Sequence, residues 1–201
     1  NKPNIFKREN IKLHMQAYSL YEPINFRYKL TDTLDKVFGG VHHIHYKNTP
    51  VHKKYALSLK ARVPDSLKNK TYIATTNMKG KFNYIGGKWM NGYLKTKTKQ
   101  FGNFCIVADT TNPEIKGVNI FPEKIFNTQT TIKLTIKDKD SGIKSYRGEI
   151  DGKWILMDYD YKNHLLRFDI ENNISKGKHT FTLKVVDNVG NTTKYSANFT
   201  Y

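Results

Sequence analysis

The chain has 201 residues, with 34 Lys and Arg against 17 Asp and Glu and a formal net charge of +17. That length holds one large or two small domains, each able to bury a core without disulfides, and the single cysteine, Cys105, leaves no disulfide within the chain. No stretch approaches the run of about 20 apolar residues that a membrane-spanning helix needs, and none keeps the 3.6-residue apolar stripe of a long helix, so helices are expected only as single turns.

In chain order, strands are expected near 11–16, 24–30, 41–47, 55–61, 71–76, 82–86, 92–98 and 103–108. The clearest is Tyr55-Ala56-Leu57-Ser58-Leu59-Lys60-Ala61, which alternates apolar and polar over seven residues. Gly86-Gly87 and Asn91-Gly92 mark tight turns, and Pro64-Asp65-Ser66 a looser one. Cys105 lies in the run Phe104-Cys105-Ile106-Val107-Ala108, where it reads as a buried small hydrophobe. Asp109-Thr110-Thr111-Asn112-Pro113 is polar and ends in a proline that donates no backbone hydrogen bond, which suits a hinge. The expected domains are therefore 1–109 and 110–201.

Past that hinge, strands are expected near 114–120, 130–137, 144–150, 153–157, 164–170, 178–187 and 193–200. Asp151-Gly152 is a two-residue hairpin signal, with Trp154 after it as an expected core anchor. Phe181, Leu183 and Val185 share one face, and Asp187-Asn188-Val189-Gly190-Asn191 turns the chain into its last strand. Seven strands in about ninety residues match the size of an immunoglobulin or fibronectin-type sandwich. The expected fold is all-β: two tandem β-sandwich domains, the second immunoglobulin/fibronectin-like.

Several constellations are candidates for chemistry. His43 and His45 would share one face of a strand, as a zinc-gripping His-x-His pair does, and His52 would add a third nitrogen; the chain has no His-x-x-x-Asp, so surface or half-buried strand histidines are the expectation and no metal or other cofactor is expected. Asp138-Lys139-Asp140-Ser141-Gly142 is rich in oxygen like a calcium turn, but lacks the far acidic ligand of an EF-hand and reads as an Asx-type turn. Two of Asp158, Asp160 and Asp169 would supply a carboxylate pair for glycoside hydrolysis, against the commoner reading of acids flanking a turn. Phe82, Tyr84, Trp89 and Tyr93, interleaved with Lys88, Lys95 and Lys97, would make a platform on which sugars or bases stack, against the commoner reading of core and cross-strand pairs. No Gly-x-Ser-x-Gly nucleophile motif occurs.

Charge is unevenly divided. Residues 1–109 carry 20 Lys and Arg against 6 Asp and Glu, a balance of +14, whereas residues 110–201 carry 14 against 11, a balance of +3. The first part therefore carries most of the field; such a surface would attract an anionic polymer, although a lysine-rich composition is also a common way to stay soluble. Residues 1–10 read neither as a signal peptide nor as a natural start, so the chain is expected to belong to a longer protein.

The order Ser19-Leu20-Tyr21-Glu22-Pro23-Ile24, Thr49-Pro50-Val51-His52-Lys53-Lys54-Tyr55, Gly86-Gly87-Lys88-Trp89, Phe101-Gly102-Asn103-Phe104, Asp109-Thr110-Thr111-Asn112-Pro113, Asp140-Ser141-Gly142-Ile143 and Asp151-Gly152-Lys153-Trp154 resembles the non-catalytic C-terminal region of bacterial LytM/lysostaphin-type zinc metallopeptidases. The resemblance implies β-sandwich modules following a peptidase domain that binds zinc through His-x-x-x-Asp and His-x-His segments. Only His43-Ile44-His45 imitates the second of these, on the wrong side of the Leu20-Tyr21-Glu22-Pro23 landmark, so no catalytic residue is carried over.

The expectation is a non-catalytic accessory or targeting module of an exported peptidoglycan metallopeptidase-like protein, in the periplasm or at the cell surface. Its partner would be peptidoglycan, another anionic glycan or a protein; nucleic acid is not expected. The rivals are a stand-alone carbohydrate-binding or adhesion module and, more remotely, a histidine-based enzyme.

Overall fold

In the computed structural model, which describes residues 2–32, 35–77, 79–127, 131–170 and 174–201, nearly every apolar alternation becomes a strand. The chain divides into two units, Asn1–Asp109 and Thr110–Tyr201, each with its own apolar core.

The described residues of the first unit form β1 (Asn4–Arg8), β2 (Ile11–Met15), β3 (Tyr28–Thr31), β4 (Val37–Ile44), β5 (Tyr55–Leu59), the one-turn helix α1 (Asp65–Lys68), β6 (Thr71–Thr76), β7 (Phe82–Gly86), β8 (Lys88–Met90), β9 (Tyr93–Thr98) and β10 (Gly102–Ala108). Two antiparallel sheets result, ordered β1-β2-β5-β9-β8 and β3-β4-β10-β6-β7. Ile11, Leu13 and Met15 of β2 and Tyr55, Leu57 and Leu59 of β5 point inward, against Ile44, Ile73, Phe104 and Ile106 of the second sheet. Gly87, at φ +151°, lets the chain cross from one sheet to the other; a Cβ there would lie 3.0 Å from Leu94 Cγ.

The second unit comprises β11 (Glu114–Gly117), β12 (Lys124–Ile125), β13 (Thr131–Lys137), β14 (Ile143–Ile150), β15 (Lys153–Ile155), β16 (Asp158–Asp160), β17 (Leu165–Asp169), β18 (Lys178–Asp187) and β19 (Thr192–Thr200). Its sheets are ordered β11-β13-β17-β16 and β12-β19-β18-β14-β15, with β12 running parallel to β19. This is the ABED and GFC arrangement of an immunoglobulin/fibronectin-like sandwich. Ile132, Leu134 and Ile136 of β13 face Phe181, Leu183 and Val185 of β18 across the core.

Several expectations need correcting. Trp154 is no core anchor but 57% exposed: Asp151 and Gly152, with φ of 51° and 75°, close a tight hairpin that pairs Trp154 with Glu149 on the outer face, and Met157 packs over Gly148 on the inner one. The strand expected over 24–30 begins only at Tyr28, and that expected over 41–47 ends at Ile44 because His45 adopts a left-handed φ of 49°. The strand expected over 114–120 stops at Gly117, where Val118 N–H turns to the Lys133 carbonyl. Strands β1, β8, β12 and β16 were not anticipated, and Thr130, the expected start of β13, lies outside the described residues.

Candidate functional site

The sheet β1-β2-β5-β9-β8 turns one face to the core and the other to solvent, and its register decides which cations meet on the outer face. Lys7 is paired with Lys12, Lys12 with Ser58, Ser58 with Lys95, and Lys95 with Lys88. Directly paired residues share a face, so four lysines form one row across five strands, roughly 19 Å at about 4.8 Å per strand. His14 and Lys97 stand in the next row, either side of Ala56. None of these five strands contains an acidic residue, and among the described residues none of the row's lysines forms an ion pair. Lys12 Nζ lies 4.1 Å from the centre of the Tyr93 ring, a cation–π contact.

Of the residues expected to form an aromatic platform, Phe82 and Tyr84 belong to β7 of the other sheet, and the remaining five are split by this register. Lys88, Tyr93, Lys95 and Lys97 lie on the outer face, but Trp89 is paired with Leu94 on the inner one. Its ring packs against the core, and its indole N–H donates to Thr71 Oγ1 at 2.8 Å and to the Lys68 carbonyl at 3.2 Å.

The same core-facing side of β1 runs past the edge of the core and lines two grooves. An apolar cleft of about 820 Å³ is walled by Phe6, Leu13, Met15, Leu20, Ile24 and Phe26. A second groove of about 650 Å³ is lined by Arg8, Arg27, Lys29, His45 and Tyr46 and again by Phe6 and Phe26. The two phenylalanine rings, 5.0 Å apart, belong to both. Arg8 stacks over Phe6 at 5.8 Å and Arg27 over Tyr46 at 5.2 Å, which holds both guanidinium groups beside apolar rings.

The histidines do not converge. His43 Nδ1 meets Asn103 Oδ1 at 2.8 Å and Nε2 meets Thr31 Oγ1 at 2.9 Å; because Asn103 Nδ2 donates to the Thr76 carbonyl, Nδ1–H is the donor to Oδ1 and Nε2 accepts from the threonine. Both ring nitrogens of His43 are thus engaged. His45 leaves the strand and packs between Phe26 and Phe101; burial first, and then Arg27, lowers its pKa. His52 is exposed and stands edge-on to Tyr21 at 5.1 Å. The two-residue spacing that should bring His43 and His45 onto one metal is undone by the left-handed backbone at His45. Burial pushes the Cys105 thiol up to about 12, so no thiolate nucleophile is available at neutral pH.

In the second unit, Asp138 and Asp187 offer carboxylate oxygens within 4.8 Å of each other, an all-oxygen pair that suits a hard cation such as calcium better than zinc. Both are also turn builders. Asp138 Oδ1 accepts from Gly142 N–H at 2.6 Å and Asp140 N–H at 3.2 Å, the expected Asx-type turn. Asp187 accepts from the N–H groups of Val189 and Asn191 at 2.9 and 2.7 Å, and from Asn191 Nδ2 at 2.6 Å. Asp160 caps the β16–β17 turn through Asn163 and Lys162, which lowers its pKa. Asp169 accepts from Thr131 Oγ1 at 2.8 Å, and Asp158 is paired with Arg167. These acids sit among cations and turn amides.

Sequence reasoning missed Lys7, Lys12 and Ser58 of the row and Arg8, Arg27 and Lys29 of the groove. Lys12 was visible as the polar member of Ile11-Lys12-Leu13, but its paired partners are Lys7 of β1 and Ser58 of β5, and the ring it contacts, Tyr93 of β9, lies more than eighty residues away.

The profile of the Zu5-like domain family matches residues 1–109. No curated protein matches the chain. Among solved structures, the fibronectin(III)-like modules of Clostridium thermocellum CbhA are similar to it at 15% identity over 74% of this chain and 85% of theirs, with a TM-score of 0.35. The tandem Ig repeats of Dlar are similar at 11% identity over 72% of this chain and 87% of theirs, with a TM-score of 0.30.

Proposed function

The chain belongs to the Zu5-like domain family through residues 1–109, and from that premise we propose that it is a non-catalytic module that holds a longer exported protein against an anionic polymer of the bacterial envelope, peptidoglycan or another anionic glycan. The observation that carries this reading is the lysine row. Like charges directly opposite each other destabilise a sheet, yet Lys7 faces Lys12 and Lys88 faces Lys95 with no acidic residue in any of the five strands. A polyanion laid across the strands relieves that repulsion and releases its own counterions. Lysine suits this work: it is a mobile point charge that follows an irregular chain of carboxylates or phosphates, without the fixed geometry of a guanidinium fork. The resemblance of the sequence motifs to the accessory region of lysostaphin-type metallopeptidases is what favours a peptidoglycan hydrolase as the protein that the module serves.

The test is retention on purified sacculi across a salt series, using the full chain and a Lys7→Ala/Lys12→Ala/Lys88→Ala/Lys95→Ala variant. Retention should weaken steeply as the screening length falls from about 10 Å at 0.1 M towards about 3 Å at 1 M, and the quadruple variant should lose it. Salt-insensitive retention, or retention unaffected by the four substitutions, refutes the reading. Salt-insensitive retention lost on Tyr93→Ala would instead favour a stacking carbohydrate site.

A further inference from the structure

The two grooves beside β1 differ in chemistry and share a wall. The larger is apolar, and Ile5, Tyr18 and Tyr21 stand exposed at its margin, at 58, 62 and 66%; the charged residues lining it are Lys2 and Glu22. The smaller holds Arg8, Arg27 and Lys29 and no acidic residue. Among the described residues these three cations form no ion pair, and the buried Nδ1 of His45, in the same groove, has no hydrogen-bond partner. Phe6 and Phe26 make the boundary, one side of each facing either groove.

We propose that the paired grooves bind a single-chain anionic amphiphile, its hydrocarbon tail in the apolar cleft beside Leu13, Met15 and Leu20 and its acidic head among Arg8, Arg27 and Lys29. Each groove lies within the roughly 300–1,000 Å³ usual for ligand sites, and neither alone accounts for the other. A wholly apolar occupant would leave three cations unpaired at its end, and a free oxyanion would leave an apolar cleft open to water. A carboxylate or phosphate head matches the guanidinium donors, which can grip two oxygens at once, and the His45 ring offers a further polar contact. The row Lys7, Lys12, Lys95, Lys88 lies on the opposite face of the same sheet, so this site is separate from the polymer surface and can stand or fall without it.

Calorimetry and amide NMR on the full chain, below the micelle threshold and at low salt, test the inference with octanoate, decanoate, decyl phosphate, decyltrimethylammonium and inorganic phosphate as probes. Decanoate and decyl phosphate should bind at one site per chain and perturb residues of both grooves. Each methylene buried tightens binding about fourfold, so decanoate, longer by two methylenes, should exceed octanoate by about fifteenfold. Decyltrimethylammonium should bind at least tenfold more weakly than decanoate, a comparison that needs no variant. An Arg8→Ala/Arg27→Ala variant should weaken decanoate at least tenfold, while Lys95→Ala should leave it unchanged. Equal affinity for the two head-group charges, no dependence on chain length, or inorganic phosphate binding as tightly as decyl phosphate would each overturn the proposal. Loss of sacculus retention in the quadruple lysine variant with decanoate binding intact would separate the two sites.

Discussion

Acidification should destabilise the first unit selectively, because of His42. This residue of β4 is 2% exposed, with Nδ1 2.9 Å from the Tyr28 hydroxyl, and burial, helped by the charge of neighbouring His43, pushes its pKa down from 6.5 to about 4. Between those values the unfolded chain binds the proton and the folded chain refuses it. Stability is therefore full above pH 6.5 and falls as the pH drops, until the folded state itself accepts the proton near pH 4. A gap of about 2.5 units at about 1.36 kcal/mol each sets a limit of roughly 3.4 kcal/mol, of which about 2 kcal/mol is lost by pH 5. Against a total stability of about 5–15 kcal/mol that is a large fraction. Trp154→Phe replaces an exposed indole with a phenyl ring and leaves Trp89, anchored to Thr71 and packed on the first core, as the sole tryptophan. Urea unfolding followed by Trp89 fluorescence should then show the midpoint falling from pH 7 to pH 5 with an unchanged slope in denaturant. In this background His42→Gln, neutral throughout and still able to bond the Tyr28 hydroxyl, should lose most of that pH dependence; His45, lowered for the same reason, retains a remainder of the same sign. Equal midpoints at pH 7 and pH 5, or an undiminished pH dependence in His42→Gln, would refute the reasoning.

The second unit should respond in the opposite sense near neutrality. His179 is raised chiefly by its hydrogen bond to Asp151, and Asp151 is lowered chiefly by the same bond, with 2.7 Å between Nδ1 and Oδ2. The pair's contribution is fully present below about pH 6.5, the unfolded value for histidine, and is lost as the pH rises through the higher folded value of His179; on the acid side it persists until the pH falls through the lowered value of Asp151. NMR titration of His179 should give a midpoint above 6.5 that Asp151→Asn brings down, and no change in that variant would remove the pair. Gly117→Ala would place a Cβ 2.1 Å from the Ile120 carbonyl oxygen, a backbone atom that cannot rotate away, and should cost the second unit about 3 kcal/mol; a denaturation midpoint within error of the parent would show that the β11 turn is softer than this geometry.

The legible parts of this protein are the ones whose physics is local. Leu13, Leu57, Leu134 and Leu183 each sit in an apolar–polar alternation, and a strand with one buried face needs nothing else to declare itself. Asn91-Gly92 and Asp151-Gly152 adopt the positive φ values that a two-residue hairpin requires. By contrast β1 carries no period in its sequence, since an edge strand exposed along most of its length has no face that must be apolar. The side on which Trp154 lies followed from the hairpin register, and a one-residue shift would have turned it inward.

The candidate sites belong almost wholly to the second category. The excess of positive charge in residues 1–109 is a property of the sequence, and so is the lack of a complete zinc ligand set around His43, His45 and His52. Which lysines face one another is not: Lys12 reaches Lys95 only through Ser58, by hydrogen-bonded pairings between strands far apart in the chain. The two grooves likewise arise where the 21–28 segment returns beside β1 and sets Phe26 against Phe6. Alternation and turn chemistry are encoded by neighbours within a few residues, so the sequence by itself determined an all-β chain with a strongly basic first half. Register and the meeting of edge strands depend on contacts between distant segments, so only the tertiary structure decided which charges form a surface and which rings close a groove.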